Sequence, residues 1–378
     1  SLFTQAHTDI TCRTEICTDV RCSPIQGGYR VITGDEWVVV RREKGYDPLR
    51  LTVRDHHRMN DTSKPGLKNF PIAFFSILMG LGGFATALRK GEEIFSLPSG
   101  GSRLVFILAG ILFVLFSSLY LIKIVHHREA VMQELRHPVT LSFFSTLPIT
   151  ILLLSIGAYP EFPLLSKWFW GVGAAGQLGM TLYVLTTWIH QTHFQIEHSH
   201  PSWFIPVVGN IIVPVVGVEH APLEISWFYF SFGLFFWIIL QTIALNRIFF
   251  HQPMAEKLIP TLFIMVAPPA LGFISYLKIT GELTQFAQLL YYIGGFITLL
   301  LLVQFRAFSR VKFFLSSWVY SFPAAAITIA TLVMYDKTQV IFFRQAGLAL
   351  LMLLGLLMLW LVVSTVNAIR HHGFCLPE

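Results

Sequence analysis

Charge is what this chain lacks most. Only 13% of its 378 residues are Asp, Glu, Lys or Arg, about half the ~25% of an ordinary soluble domain. Hydrophobic residues make up 54%, and the mean hydropathy is +0.62. That balance excludes a solvated globular enzyme, a nucleic-acid-binding module and a disordered chain. Cysteine is scarce as well. Four residues are too few for a disulfide scaffold. Cys12, Cys17 and Cys22 stand five apart, unlike zinc ligands, which begin with two residues between cysteines. The net charge of +6 comes from bases scattered between apolar runs, as in the loops of a membrane protein. Residues 1–58 contain no apolar stretch of signal-peptide length.

What is present is a repeating apolar pattern. Ten uncharged stretches follow Lys68: 69–88, 104–122, 137–160, 168–196, 198–218, 225–246, 258–277, 283–305, 313–335 and 345–369. About 20 apolar residues cross a hydrocarbon core as a helix, whereas barrel strands need only ~10. The spacing predicts an all-α integral membrane fold with ten transmembrane helices, laid out as five helical hairpins. With an even number of crossings, both ends of the membrane domain share one side. Loop bases favour the cytoplasm for that side, chiefly through Arg306, Arg310 and Lys312.

Residues 1–58 differ in kind. They carry nine bases and eight acids and lack helical periodicity, although Glu36–Arg42 reads as a short strand. Met59 stands just before the first apolar span. The expected division is a tail over 1–58, outside the membrane fold, and a ten-helix domain over 59–378.

Prolines sort by span. Pro148 lies in the third, Pro206 and Pro214 in the fifth, Pro260, Pro268 and Pro269 in the seventh, and Pro323 in the ninth. Even-numbered spans have none inside. The first span has Gly80, Gly82 and Gly83 instead. Proline removes a backbone donor and frees a carbonyl, which lipid cannot satisfy. The odd helices are therefore expected to form an inner ring around a central pore, with Gly82, Pro148, Pro206, Pro214, Pro268 and Pro323 as kinks lining it. The even helices would face lipid.

No Asp, Glu, Lys or Arg lies inside a span, and coupled transporters commonly place ionisable groups there. The interior polar residues are few: Ser142, Ser145, Thr146, Thr150, Asn210, Ser317, Ser321 and Thr328. Glu219 and His220 stand at the rim of the fifth span. A passive route is expected over a coupled pump. Histidines raise a second possibility, because membrane di-iron enzymes use them as ligands. His190, His193, His198 and His200 cluster, and His126-His127 and His371-His372 are doublets. Their spacings do not match that family's boxes, so solvated loop histidines are expected. The chain is read as no enzyme, with no catalytic residues, no cofactor and no metal.

Several stretches carry a family resemblance. His137-Pro138-Val139, Phe143-Phe144 and Leu147-Pro148-Ile149 open the third span. Gly176-Gln177-Leu178 lies in the fourth. His200-Pro201-Ser202 and Pro206 open the fifth. Ala267-Pro268 and Ser275-Tyr276 mark the seventh, and Trp318-Val319-Tyr320-Ser321-Phe322-Pro323 the ninth. Together they resemble the tellurite-resistance/dicarboxylate transporter family, over about residues 67–372. Its members include bacterial tellurite-resistance channel homologues and plant guard-cell slow anion channels. The resemblance implies a homotrimer of ten-helix protomers in a cell inner membrane, each with its own pore. It implies Phe322 as the aromatic plug of that pore, and small inorganic or organic anions as cargo, tellurite, sulfite and dicarboxylates among them. A proton-coupled exporter of the same anions and a histidine-ligated membrane oxidoreductase are the alternatives. The lipid bilayer is the other expected partner; nucleic acid is not.

Overall fold

The computed structural model describes residues 66–98, 100–190, 200–251, 254, 256–304 and 313–372, and the backbone of four earlier strands. The chain divides into two compact units, Ser1–Lys64 and Pro65–Glu378. In the first, β1 (Val20–Ile25), β2 (Gly28–Thr33), β3 (Glu36–Arg41) and β4 (Thr52–Arg58) pair antiparallel in sequence order. Val31 opposes Cys22 on one side and Val38 on the other, and a bulge falls between Val38 and Val40. The strand expected at Glu36–Arg42 is β3 (Glu36–Arg41); the other three strands were not foreseen. Cys12, Cys17, Met59, His193, His198 and the Arg306, Arg310, Lys312 cluster lie outside the described residues.

In the second unit the described elements are helical. Eight segments are long and apolar enough to cross a membrane: Ile72–Ile94, Gly101–His126, Thr140–Ala158, Leu223–Phe250, Leu258–Thr280, Gln285–Val303, Leu315–Thr338 and Ile341–Arg370. Two of the ten expected spans fall short by different criteria. Pro163–His190 is a 28-residue helix whose glycines, Gln177 and threonines dilute its hydropathy. Pro201–Gly217 is apolar but shorter.

Two kinds of segment alternate. The first kind is continuous: α2 (Gly101–His126), α6 (Pro163–His190), α9 (Leu223–Phe250), α11 (Gln285–Val303) and α13 (Ile341–His372). The second kind is largely pieced together. The third segment is α4 (Thr140–Phe143) and α5 (Thr146–Ala158). The fifth runs as 3-10 turn Pro201–Trp203, α7 (Phe204–Val208), 3-10 turn Gly209–Ile212 and α8 (Pro214–Gly217). The seventh joins 3-10 Glu256–Val266 to α10 (Ala267–Thr280), and the ninth joins 3-10 Leu315–Tyr320 to α12 (Ser321–Thr338). The intervening α3 (Arg128–Arg136), between α2 and α4, was not expected from the sequence.

The prolines explain the joints. Pro148, Pro206, Pro214, Pro268, Pro269 and Pro323 all fall within the first three residues of a helical piece. First-turn N–H groups have no intrahelical partner, so a proline there removes no hydrogen bond. The chain ends one helix and restarts another, and neighbouring side chains satisfy the loose carbonyls. Ser321 Oγ donates to Trp318 O at 2.5 Å. Gln177 Nε2, from α6, donates to Ile205 O and Pro206 O at 3.0 and 3.1 Å.

Burial follows the same alternation. The four broken or glycine-bearing segments among the eight are 72, 67, 78 and 83% buried, and the four continuous ones 11, 33, 28 and 22%. A helix so exposed and so apolar has no stable home but lipid. Each continuous helix packs on the segment preceding it in the chain: α2 on the helix Phe75–Ile94 (α1), α6 on α5, α9 on the fifth segment, α11 on α10 and α13 on α12. Small residues on the outer helix let the backbones close. A Cβ on Gly173, Gly233 or Gly347 would come within 2.8 Å of Leu152, 2.7 Å of Ile211 or 2.6 Å of Leu332. Such contacts are how helices associate where lipid offers no hydrophobic drive.

Candidate conduction site

A cavity lies where the five buried segments meet. Met79 lines it from α1, Ile149 from α5, and Phe204, Ile205, Val208 and Gly209 from the fifth segment. Ile264, Ala267, Pro268 and Leu271 come from the seventh, and Val319, Phe322 and Pro323 from the ninth. Every lining side chain is uncharged and apolar. The cavity volume is about 30 Å³, room for one or two waters. Nothing the size of a hydrated ion fits at this level.

Phe322 is the largest side chain that α12 turns into this space, and it is 9% exposed. Its position follows from the joint beside it. The 3-10 piece ends at Tyr320, α12 begins at Ser321, and Pro323 fixes the first turn. Behind the ring stands Gly83 of α1, where a Cβ would meet Phe322 Cδ2 at 3.2 Å.

The expected kink residues divide. Pro268 and Pro323 line the cavity. Gly82, Pro148, Pro206 and Pro214 are not among its lining residues. Pro148 faces α6, where a Cβ on Gly176 would meet its Cβ at 3.3 Å. Pro206 offers its carbonyl to Gln177 and to Thr181 Oγ1, the latter at 2.7 Å. α1 runs unbroken from Phe75 to Ile94, so its glycines do not mark a joint between helical pieces as the prolines do. Gly82 instead accommodates Leu153 of α5, whose Cβ would lie 2.9 Å from an added Cβ.

Most of the interior polar groups are engaged, whereas Ser145 Oγ and Asn210 Oδ1 are buried without a hydrogen-bond partner. Thr146 Oγ1 donates to Phe143 O, Thr150 Oγ1 to Thr146 O, and Thr328 Oγ1 to Ala324 O. Asn210 Nδ2 donates to Thr181 Oγ1 and Val207 O, both at 2.7 Å. Ser275 Oγ ties α10 to the fifth segment through Ile211 O at 2.5 Å. These donors hold broken helices in place and leave the cavity wall without one.

At the rim, sequence reasoning named Glu219 and His220 without their partners. Tyr159 Oη donates to Glu219 Oε2 at 3.0 Å, and His220 Nε2 lies 2.8 Å from Ser166 Oγ. The His220 ring meets Tyr159 edge-on and tilts against Trp170. Burial pushes His220 below the usual imidazole range, the Lys167 charge adds to that, and Glu219 opposes it. Two other described histidines bond locally. His126 and His190 each place Nδ1 on a carbonyl one turn back, Ile122 O and Thr186 O. Among the described residues no group of three or more His, Cys, Asp or Glu could hold a metal ion.

Apolar helices that cross a bilayer, sorted into an exposed set and a buried set broken at prolines about a narrow uncharged cavity, define a polytopic helical membrane protein. The sequence profile of one family, described as voltage-dependent anion channel (SLAC1), matches residues 69–366. The chain belongs to that family. Among its relatives is the S-type anion channel SLAH3 of Arabidopsis thaliana, 25% identical over 81% of this chain and 50% of the plant protein. This chain thus spans about half the length of that relative. An uncharacterized transporter of Methanocaldococcus jannaschii is 24% identical over 80% of this chain and 96% of its own. The tellurite resistance protein TehA homolog of Haemophilus influenzae is 27% identical over 74% and 84%.

Proposed function

We propose that this chain is a passive anion channel whose pore is closed, in the conformation described, by the Phe322 ring. One observation carries the reading: the cavity between the five buried segments has no charged wall and is filled on one side by that ring. A coupled carrier would need an ionisable group to move with its cargo, and no lining residue is one. The family's description and the names of the plant relatives supply the sign of the cargo. An apolar wall without a free donor ranks anions by the cost of shedding water, so weakly hydrated anions should pass first.

Ten crossings complete the arrangement in this reading. The eight segments of sufficient length, α6 and the Pro201–Gly217 segment form five hairpins, with the odd members around the pore. The domain is a homotrimer of independent pores in a plasma membrane, both ends cytoplasmic, and residues 1–58 are not needed for conduction. Tellurite, sulfite and dicarboxylates remain candidate cargo alongside small monovalent anions.

Two-electrode recording in a chloride gradient tests the core of this. Wild type should show small current, and Phe322→Ala a current raised about tenfold or more that does not saturate with chloride. Saturable flux that follows a proton gradient would replace the channel with a carrier. Absence of current from both proteins, with each present at the surface, would refute the reading.

A further inference from the structure

A second cavity, about 350 Å³, opens between α2, α3 and the start of α5. Its walls include Ile124 of α2, Val131, Met132 and Leu135 of α3, and Leu147 beside Pro148. Two of its lining residues are polar, Tyr120 and Arg128. Tyr120 is committed, because its hydroxyl donates to Glu134 Oε2 at 2.8 Å. The other Glu134 oxygen takes Lys123 Nζ at 2.7 Å, and Lys123 also donates to Phe70 O at 2.8 Å. Glu134 of α3 is therefore paired on both oxygens. Arg128 remains as the exposed charge on the lining, and no ion pair among the described residues includes it. Glu129, its neighbour, is not part of the lining.

The surroundings say what chemistry fits. Leu121, Ile122 and Val125 of α2 are 61, 45 and 75% exposed, so apolar surface runs from the cavity directly onto the lipid-facing side. A cavity of this size, walled with hydrocarbon and carrying one fixed charge, suits an amphiphile. A guanidinium forks onto phosphate oxygens in a way that a neutral headgroup cannot match. It also stands at the end of a membrane helix, where phosphate lies and where a long basic side chain reaches the interface.

We propose that this cavity holds an acyl chain of an anionic phospholipid, whose phosphate pairs with Arg128. The site is separate from the conduction cavity and does not rest on the channel reading. Phe144 and Leu147, which flank the break before Pro148, both line it. Occupancy therefore braces the joint of the third segment, with α3 held as a lid by the Lys123–Glu134 pair.

The test uses the full chain in nanodiscs of phosphatidylcholine with graded phosphatidylglycerol, reading retained lipid by native mass spectrometry. Wild type should keep one phosphatidylglycerol per protomer and prefer it over phosphatidylcholine about fivefold, the effect of one basic residue near the headgroups. Arg128→Gln should erase that preference, and Arg128→Lys should keep part of it. Met132→Trp, which fills the cavity, should lower retention of both lipids. Arg128→Gln changes an exposed residue, so elution volume and helical content should match wild type. Equal retention and equal preference in all four proteins would mean ordinary boundary lipid and overturn the proposal. So would cross-linking of a cysteine placed at 132 to a second copy, or to the chain's own N-terminal unit, in lipid-replete membranes.

Discussion

The Phe322 ring rests against bare backbone at Gly83, and a single added methyl there would lie 3.2 Å from both Phe322 Cδ2 and Ala325 Cβ. Side-chain contacts that tight require the neighbour to give way by a few tenths of an ångström. Gly83→Ala should therefore push the ring while gaining about 1 kcal/mol of helix propensity. The expected result is basal anion flux between those of wild type and Phe322→Ala, with thermal stability nearly unchanged. Recording the three proteins side by side checks it; flux equal to wild type would show that the ring is not held from behind by α1.

Lys123 is 1% exposed and Glu134 18%, with 2.7 Å between their charged atoms. Removing one partner of a buried pair strands the other, whereas removing both costs much less. Lys123→Met should lower stability by on the order of 3 kcal/mol. Adding Glu134→Gln should recover more than half of that. Thermal midpoints of the two single variants and the double variant decide the matter, since additive losses would mean that the pair is not coupled.

His220 makes stability depend on pH. Its native pKa is lowered, while the unfolded ring titrates near 6.5. As pH falls through 6.5 the unfolded state takes the proton first, so stability drops. The loss continues down to the depressed native value and then levels off. Tyr159, Ser166, Trp170, Glu219 and Lys167 surround the ring and set that value. His220→Gln should flatten this part of the profile between pH 7.5 and 5.5. A profile identical to wild type would assign the slope to other groups.

Much of this architecture was legible because lipid enforces it. Uncharged runs marked the apolar segments, and proline placement sorted buried from exposed helices. Phe322 stood out through its resemblance-bearing motif and its neighbour Pro323. Other features carried no local signal. Gly82 reads as a hinge in one dimension, and only the position of Leu153 shows that it is a contact. Gln177 looks like an odd polar residue in an apolar run until the carbonyls of Ile205 and Pro206 appear opposite it. The interfacial α3 hides because nine mixed residues have no membrane signature, and its anchor, Lys123, looks like a loop charge. Each of these depends on a partner distant in the chain, which periodicity cannot report.

The pieced construction of Pro201–Gly217 has a consequence for distance. Seven of its residues are in 3-10 turns, which rise about 2.0 Å per residue against about 1.5 Å in an α-helix. The segment therefore reaches about 29 Å, where a regular α-helix of equal length would reach about 26 Å. The hydrocarbon layer is about 30 Å thick. In the ten-crossing reading, overwinding lets this short stretch measure out nearly a full bilayer. Relaxing it into one uniform α-helix would leave an end stranded a turn's fraction below the water line.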